Sequence, residues 1–305
     1  VVSESSVVPP GVMPALITPV GPDGGPDLDA VGRLVRHAVA GGVEGLAPCG
    51  STGEGWRLDG EARRRVVERV VAEADGLPVI AGVPVSTRTA TLAEIEAHAA
   101  AGVRAALVAP PPGLALSTAE IGEMYASLAA SSALPLVIYH IPSVTHAPIT
   151  PGLVGELCDE QAIVGVKDSS RDMETMQALV AATAHQPGFT LLTGVDTLLV
   201  ASLLAGAHGT IAASPGLFPA LAVATMQALR GGRVAEALEY QQRVVDVVRA
   251  CRALPFPSGW KAAAAVLGLA RADGVWPGGV ADREAVESLR GALSRLGVLS
   301  VDGAA

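Results

Sequence analysis

The chain is poor in lysine, in aromatics and in cysteine. It has two lysines, Lys167 and Lys261, among 21 Lys and Arg residues, so arginine carries the charge wherever charge alone suffices. A lysine kept in such a chain is a candidate for work arginine cannot do. A guanidinium stays protonated, whereas an amine can lose its proton and attack a carbonyl. A surface lysine left by chance fits the same scarcity, and position alone does not separate the two. Aromatics make up 3% of 305 residues, so the core must be built from Ala, Val, Leu and Ile. The three cysteines, Cys49, Cys158 and Cys251, are odd in number, far apart and without metal-ligand spacing, which points to reduced thiols in a cytoplasmic protein. Cys49 reads as a small buried thiol rather than a nucleophile. No apolar run is long enough to span a membrane, and a net charge of −9 argues against nucleic acid as a partner. Residues 1–10, VVSESSVVPP, lack the basic start and apolar core of a signal peptide and are expected to form a disordered tail.

What is present is a regular alternation. Eight short apolar runs recur: Val12–Thr18, Val43–Pro48, Pro78–Gly82, Ala105–Ala109, Leu136–Tyr139, Ile163–Lys167, Thr190–Thr193 and Gly209–Ala213. Their near-continuous apolar character is that of parallel strands covered on both faces. Helical spacing fills the gaps, as in Leu28, Val31, Leu34, Val35, Ala38 and Val39, with Asp27 as a cap. Ser117 and Glu120 form a capping box for a helix running to about Ser131. Gly41-Gly42, Gly102 and Gly206 stop helices just ahead of strands. The pattern predicts an α/β fold, a (β/α)8 TIM barrel over residues 11–225, with a doubly wound sheet as the rival. The rival lacks its dinucleotide fingerprint. Residues 226–305 are expected to form a C-terminal helical extension, with helices over Arg233–Leu254, Lys261–Ala270 and Arg283–Leu296 and breaks at Pro255 and Pro257.

In such a barrel the chemistry sits at the C-terminal ends of the strands. Those ends carry Gly50-Ser51-Thr52-Gly53-Glu54-Gly55, Tyr139-His140-Ile141-Pro142, Lys167, Gly194-Val195-Asp196 and Ile211. The Gly50–Gly55 loop is rich in N–H and hydroxyl donors and could hold a carboxylate or a phosphate. An ordinary Gly-rich turn has the same composition, and no P-loop lysine follows. Tyr139 is the one tyrosine of three expected at a strand end, where a phenol near a lysine amine can shuttle protons. A core aromatic is the competing reading.

GSTGE at 50–54, YHIP at 139–142, GVKD at 165–168 and TGVD at 193–196 together resemble the dihydrodipicolinate synthase/N-acetylneuraminate lyase family, in order from about Gly11 to Trp260. The resemblance implies a Schiff-base-forming class I lyase with no metal or diffusible cofactor. Its small-molecule partners would be a 2-oxo acid and an aldehyde, and it would assemble as a dimer of dimers. It implies Lys167, Tyr139 and Thr52 as catalytic residues, with Lys167 forming the imine and Tyr139 relaying protons. It implies Gly50, Ser51, Thr52, His140, Val144, Gly194 and Ile211 as substrate contacts. Lys261 matches a family lysine expected to be structural.

Three positions depart from the family pattern. Val144 stands where the synthases have an arginine for the second substrate, Pro112 replaces a relay tyrosine, and His140 replaces an asparagine. His140 could act as an acid or base or point into packing. His146 is the better candidate for substrate hydroxyls, while His37, His98, His185 and His208 read as surface or packing residues. The preferred expectation is a lyase cleaving or dehydrating a 2-keto-3-deoxy sugar acid. Dihydrodipicolinate synthase, a non-catalytic 2-oxo acid binder and an unrelated phosphate-binding barrel are the alternatives.

Overall fold

The computed structural model describes residues 7–275 and 281–299. Seven strands form one sheet: β1 (Val12–Pro14), β2 (Ile80–Pro84), β3 (Ala105–Ala109), β4 (Leu136–His140), β5 (Ile163–Asp168), β6 (Thr190–Thr193) and β7 (Gly209–Ala212). Their order is β1-β7-β6-β5-β4-β3-β2, and every paired neighbour is parallel. Alternation along each strand divides the core. Met13, Ile80, Leu107, Val137, Tyr139, Leu192 and Ile211 pack together on the inner face of the curled sheet. Val12, Val108, Ile138, Val166 and Leu191 face the opposite way, into the helices. Both parities are apolar because both faces are covered.

The second of the eight expected strands, Val43–Pro48, is not a strand of this sheet. It makes isolated parallel bridges, Ala15 with Ala47 and Leu46 with Val79, and so touches both edge strands or their flanks. Leu46 N donates to Pro78 O at 3.0 Å, and Gly82 N donates to Pro48 O at 2.9 Å. On the other side Ala47 N donates to Pro14 O at 2.9 Å. Pro14 and Pro48 have no N–H, so the ladder on each side lacks a donor where it would otherwise continue.

The helical expectations hold in outline. Asp27 caps Leu28–Ala40, and Ser117 with Glu120 makes the capping box of Thr118–Ala129. Gly42, Gly102 and Gly206 take φ of 81°, 94° and 114° between helix and strand. The C-terminal helices are Val234–Cys251, Ser258–Val266 and Arg283–Arg295. The middle one starts directly after Pro257 and stops before Ala270, where Gly268 adopts φ 70°. Residues 1–6 of the expected tail lie outside the described residues. Val8 is not tail-like: it is fully buried against the inner-face cluster, and its carbonyl accepts from Thr190 Oγ1 at 2.9 Å.

Candidate active site

Strand pairing brings the two key side chains together. Tyr139 and Lys167 are register partners on β4 and β5, as are His140 and Asp168. Equal parity sends Tyr139 and Lys167 inward and the second pair toward the helices. Lys167 is 3% exposed, and its Nζ lies over the Tyr139 ring, 4.1 Å from the centroid. Gly194 makes room for it. A Cβ at position 194 would meet Ser169 Oγ at 2.0 Å and Lys167 Cε at 2.9 Å. Ile211 on β7, fully buried, lines the same cavity of about 530 Å³.

The Gly50–Gly55 loop is folded tightly. Cys49 and Glu54 both take left-handed backbone, φ 58° and 53°. A Cβ on Gly55 would lie 1.9 Å from Cys49 O, so only glycine fits. Thr18 Oγ1 donates to Gly53 O at 2.7 Å and pins the turn. The result presents Ser51 and Thr52 to the cavity, with Ser51 Oγ 3.2 Å from the Tyr139 hydroxyl. Beneath, the buried Glu54 carboxylate pairs with the buried Lys261 ammonium and with Arg57 Nη1 at 3.1 Å. Burial depresses the pKa of Lys261, and the Glu54 carboxylate opposes that. Cys49 is buried too, and its thiol is pushed up to about 12 by desolvation, consistent with an inert packing residue.

Several expected contacts fall elsewhere. His140 does not line the cavity: its Nδ1 is 2.8 Å from Asp168 Oδ1 on the helix side of the sheet. Asp168 also accepts from Ser170 N at 3.2 Å and Ser170 Oγ at 2.8 Å, fixing the turn after β5. Gly50 lies outside the lining, with open space where a Cβ would be. His146 is exposed at the end of the short helix Pro142–Thr145 and also lies outside it. Thr52 lines the cavity, but the hydroxyl on Tyr139 is that of Ser51. Val144 and Gly194 line it. Sequence reasoning missed Arg171, Arg252 and Trp260 in the lining. Arg171 lies four positions past Lys167 and was within reach of a local reading, whereas the other two come from the helical extension, beyond any local pattern.

The cavity offers one carboxylate, Asp196, whose Oδ1 already accepts from Ser214 N at 2.8 Å. A single acid is a poor metal cradle. Elsewhere among the described residues, Cys158, Asp159 and His185 hold ligand atoms within 4.8 Å of one another, away from the cavity. No helix among the described residues is long and apolar enough to cross a membrane.

Comparison with known proteins converges on one group. The family model described as the dihydrodipicolinate synthetase family matches residues 9–296. The chain is 32% identical over 293 residues to a 4-hydroxy-tetrahydrodipicolinate synthase from Methanothrix thermoacetophila, covering 96% of this chain and 98% of that one. It is 34% identical over 259 residues to an uncharacterized DapA-like lyase from Halobacterium salinarum, covering 85% and 84%. Among solved structures, YagE, an E. coli K12 prophage protein of the dihydrodipicolinic acid synthase family in complex with pyruvate, superposes with a TM-score of 0.90. Its identity is 27%, with 95% of this chain and 99% of YagE covered. A monomeric dihydrodipicolinate synthase variant gives a TM-score of 0.91 at 25% identity, covering 97% and 99%.

Proposed function

The chain belongs to the dihydrodipicolinate synthetase family, whose members are named as synthases and lyases, and from that premise we propose a class I lyase that forms a Schiff base with a 2-oxo acid on Lys167. The observation that carries the reading is the cluster itself: Lys167 Nζ 4.1 Å from the Tyr139 ring centroid, and Ser51 Oγ 3.2 Å from the phenol. It sits on an eightfold barrel spanning residues 11–225, in which segment 43–48 serves as the eighth stave, followed by the helical extension 226–305. The enzyme is cytoplasmic and assembles as a dimer of dimers.

The carboxylate of pyruvate, or of a longer 2-oxo acid, docks on the Ser51 and Thr52 donors. Neutral Lys167 Nζ attacks the ketone carbon, and the carbinolamine loses water with a proton relayed by Tyr139, giving an iminium. The C4 hydroxyl gives its proton to Tyr139 as the iminium accepts the electron pair of the breaking C3–C4 bond, so an aldehyde leaves and an enamine remains. Tyr139 returns a proton to C3, and water hydrolyses the imine to free pyruvate and Lys167. Ile211 packs beside the imine and keeps that side dry. The iminium is the electron sink, so the chemistry calls for no metal or diffusible cofactor.

The preferred substrate is a 2-keto-3-deoxy sugar acid, cleaved or dehydrated, because Val144 offers no carboxylate contact and Pro112 no proton. The names of the relatives favour a second reading, condensation of pyruvate with aspartate semialdehyde. Borohydride reduction with pyruvate, then peptide mass spectrometry, tests the shared core of both. A reduced adduct on Lys167 is expected. A folded protein that traps neither pyruvate nor a larger 2-oxo acid would overturn the enzyme reading in favour of a non-catalytic binder.

A further inference from the structure

The rim of the cavity carries two arginines that the chemistry at Lys167 leaves without a task. Arg171 lies in the turn after β5, and Arg252 caps the C-terminal end of the helix Val234–Cys251. They come from separate parts of the chain yet line the same cavity. Among the described residues neither guanidinium makes a direct hydrogen bond or ion pair. Burial, and then the Arg171 charge, holds the pKa of Arg252 below the usual arginine range, while Asp196 opposes this. Asp196 spends one oxygen on Ser214 N–H and does not pair with either arginine. Arg171 also sits at φ 66°, where a non-glycine residue is uncommon and costly. Two exposed arginines thus line one opening in a chain of net charge −9. An arriving anion would relieve their repulsion and take charge-assisted bonds from both forks.

We propose that Arg171 and Arg252 form an anion subsite at the rim, which selects a substrate whose end remote from the imine carries a phosphate ester or a carboxylate. The inference rests on the reading of Lys167 as the imine-forming residue, which sets the 2-oxo end on the cavity floor. It assigns the task that position 144 cannot perform to residues on two other elements.

The test uses unreactive alcohols in place of aldehydes, so that binding is read without turnover. Calorimetric titration of the intact protein compares glycerol 3-phosphate and 4-hydroxybutyrate with neutral glycerol. The variants are Arg252→Met and Arg171→Gly, the second chosen because glycine accepts φ 66° without strain. At least one anionic alcohol should bind about tenfold tighter than glycerol, and each substitution should erase that margin. Whichever anion gains more names the terminal group. No preference over glycerol, or a preference that survives both substitutions, would overturn the subsite. Adduct formation on wild-type Lys167 is scored separately. Its absence would remove the Schiff-base reading while the titration still decides whether the rim binds anions.

Discussion

A methyl group at position 194 would press on the Ser169 hydroxyl and on the Cε of Lys167, at 2.0 and 2.9 Å. Gly194→Ala should therefore leave the fold intact and displace the amine, slowing pyruvate trapping by about a hundredfold, the cost of misplacing a reacting group by about 1 Å. Stopped borohydride quenching measures it, and an unchanged rate would show that Lys167 can work from another rotamer. Tyr139→Phe keeps the ring under Lys167 and removes the hydroxyl bonded to Ser51. Imine formation is expected to slow by about 10²–10⁴-fold with circular dichroism unaltered. His98 tests a different residue property. It is buried, both ring nitrogens lack hydrogen-bond partners among the described residues, and burial holds its pKa below 6.5. As pH falls below that value the unfolded chain takes up a proton that the folded protein refuses, so stability is lost on acidification. His98→Gln should shrink the drop in urea midpoint between about pH 7.5 and about pH 5.5. An equal drop in the variant would place the acid sensitivity elsewhere.

The Gly50–Gly55 loop stands on an ion pair from another element. Lys261, in the helix Ser258–Val266, reaches Glu54 with both side chains excluded from water, and among the described residues the ammonium has no further partner. Removing Lys261 leaves the buried Glu54 carboxylate with only the half-exposed Arg57, so Lys261→Met should cost about 3 kcal/mol in denaturant unfolding. Adding Glu54→Gln to that variant should recover much of the loss, and failure to do so would mean that packing rather than charge dominates the contact. Lysine scarcity pointed to Lys167 and Lys261 alike, and only the motifs around Lys167 separated their roles. Strand and helix periodicities were readable because each is local and both sheet faces are apolar. The second run failed as a strand because Pro14 and Pro48 withhold donors, an effect that depends on which residues lie opposite. Likewise the outward turn of His140 follows from parity on β4, which is readable, whereas its Asp168 partner depends on the β4–β5 register. Arg252 and Trp260 reach the cavity from the extension, so no window around the motifs contained them.

At the scale of the molecule, the hydroxyl that contacts Tyr139 comes from the same chain, and Pro112, at the position for which the resemblance implies a relay tyrosine, carries no proton. The proposed assembly should therefore support the site without completing it. Turnover per chain is expected to stay constant on dilution even where sedimentation shows subunits separating. A loss of turnover that tracks dissociation would mean that a neighbouring subunit supplies a needed group.

The pairing of Glu54 with Lys261 also sets a clock on the newborn enzyme. Lys261 is 207 positions after Glu54 in the sequence. At a synthesis rate of about 5–20 residues per second, the loop waits roughly 10–40 s for its counter-charge. Until then the acid has only the half-exposed Arg57 for a partner, and a chain cut short before the last helices carries Lys167 and Tyr139 on an unfinished site. Incomplete translation products should thus be silent rather than leaky.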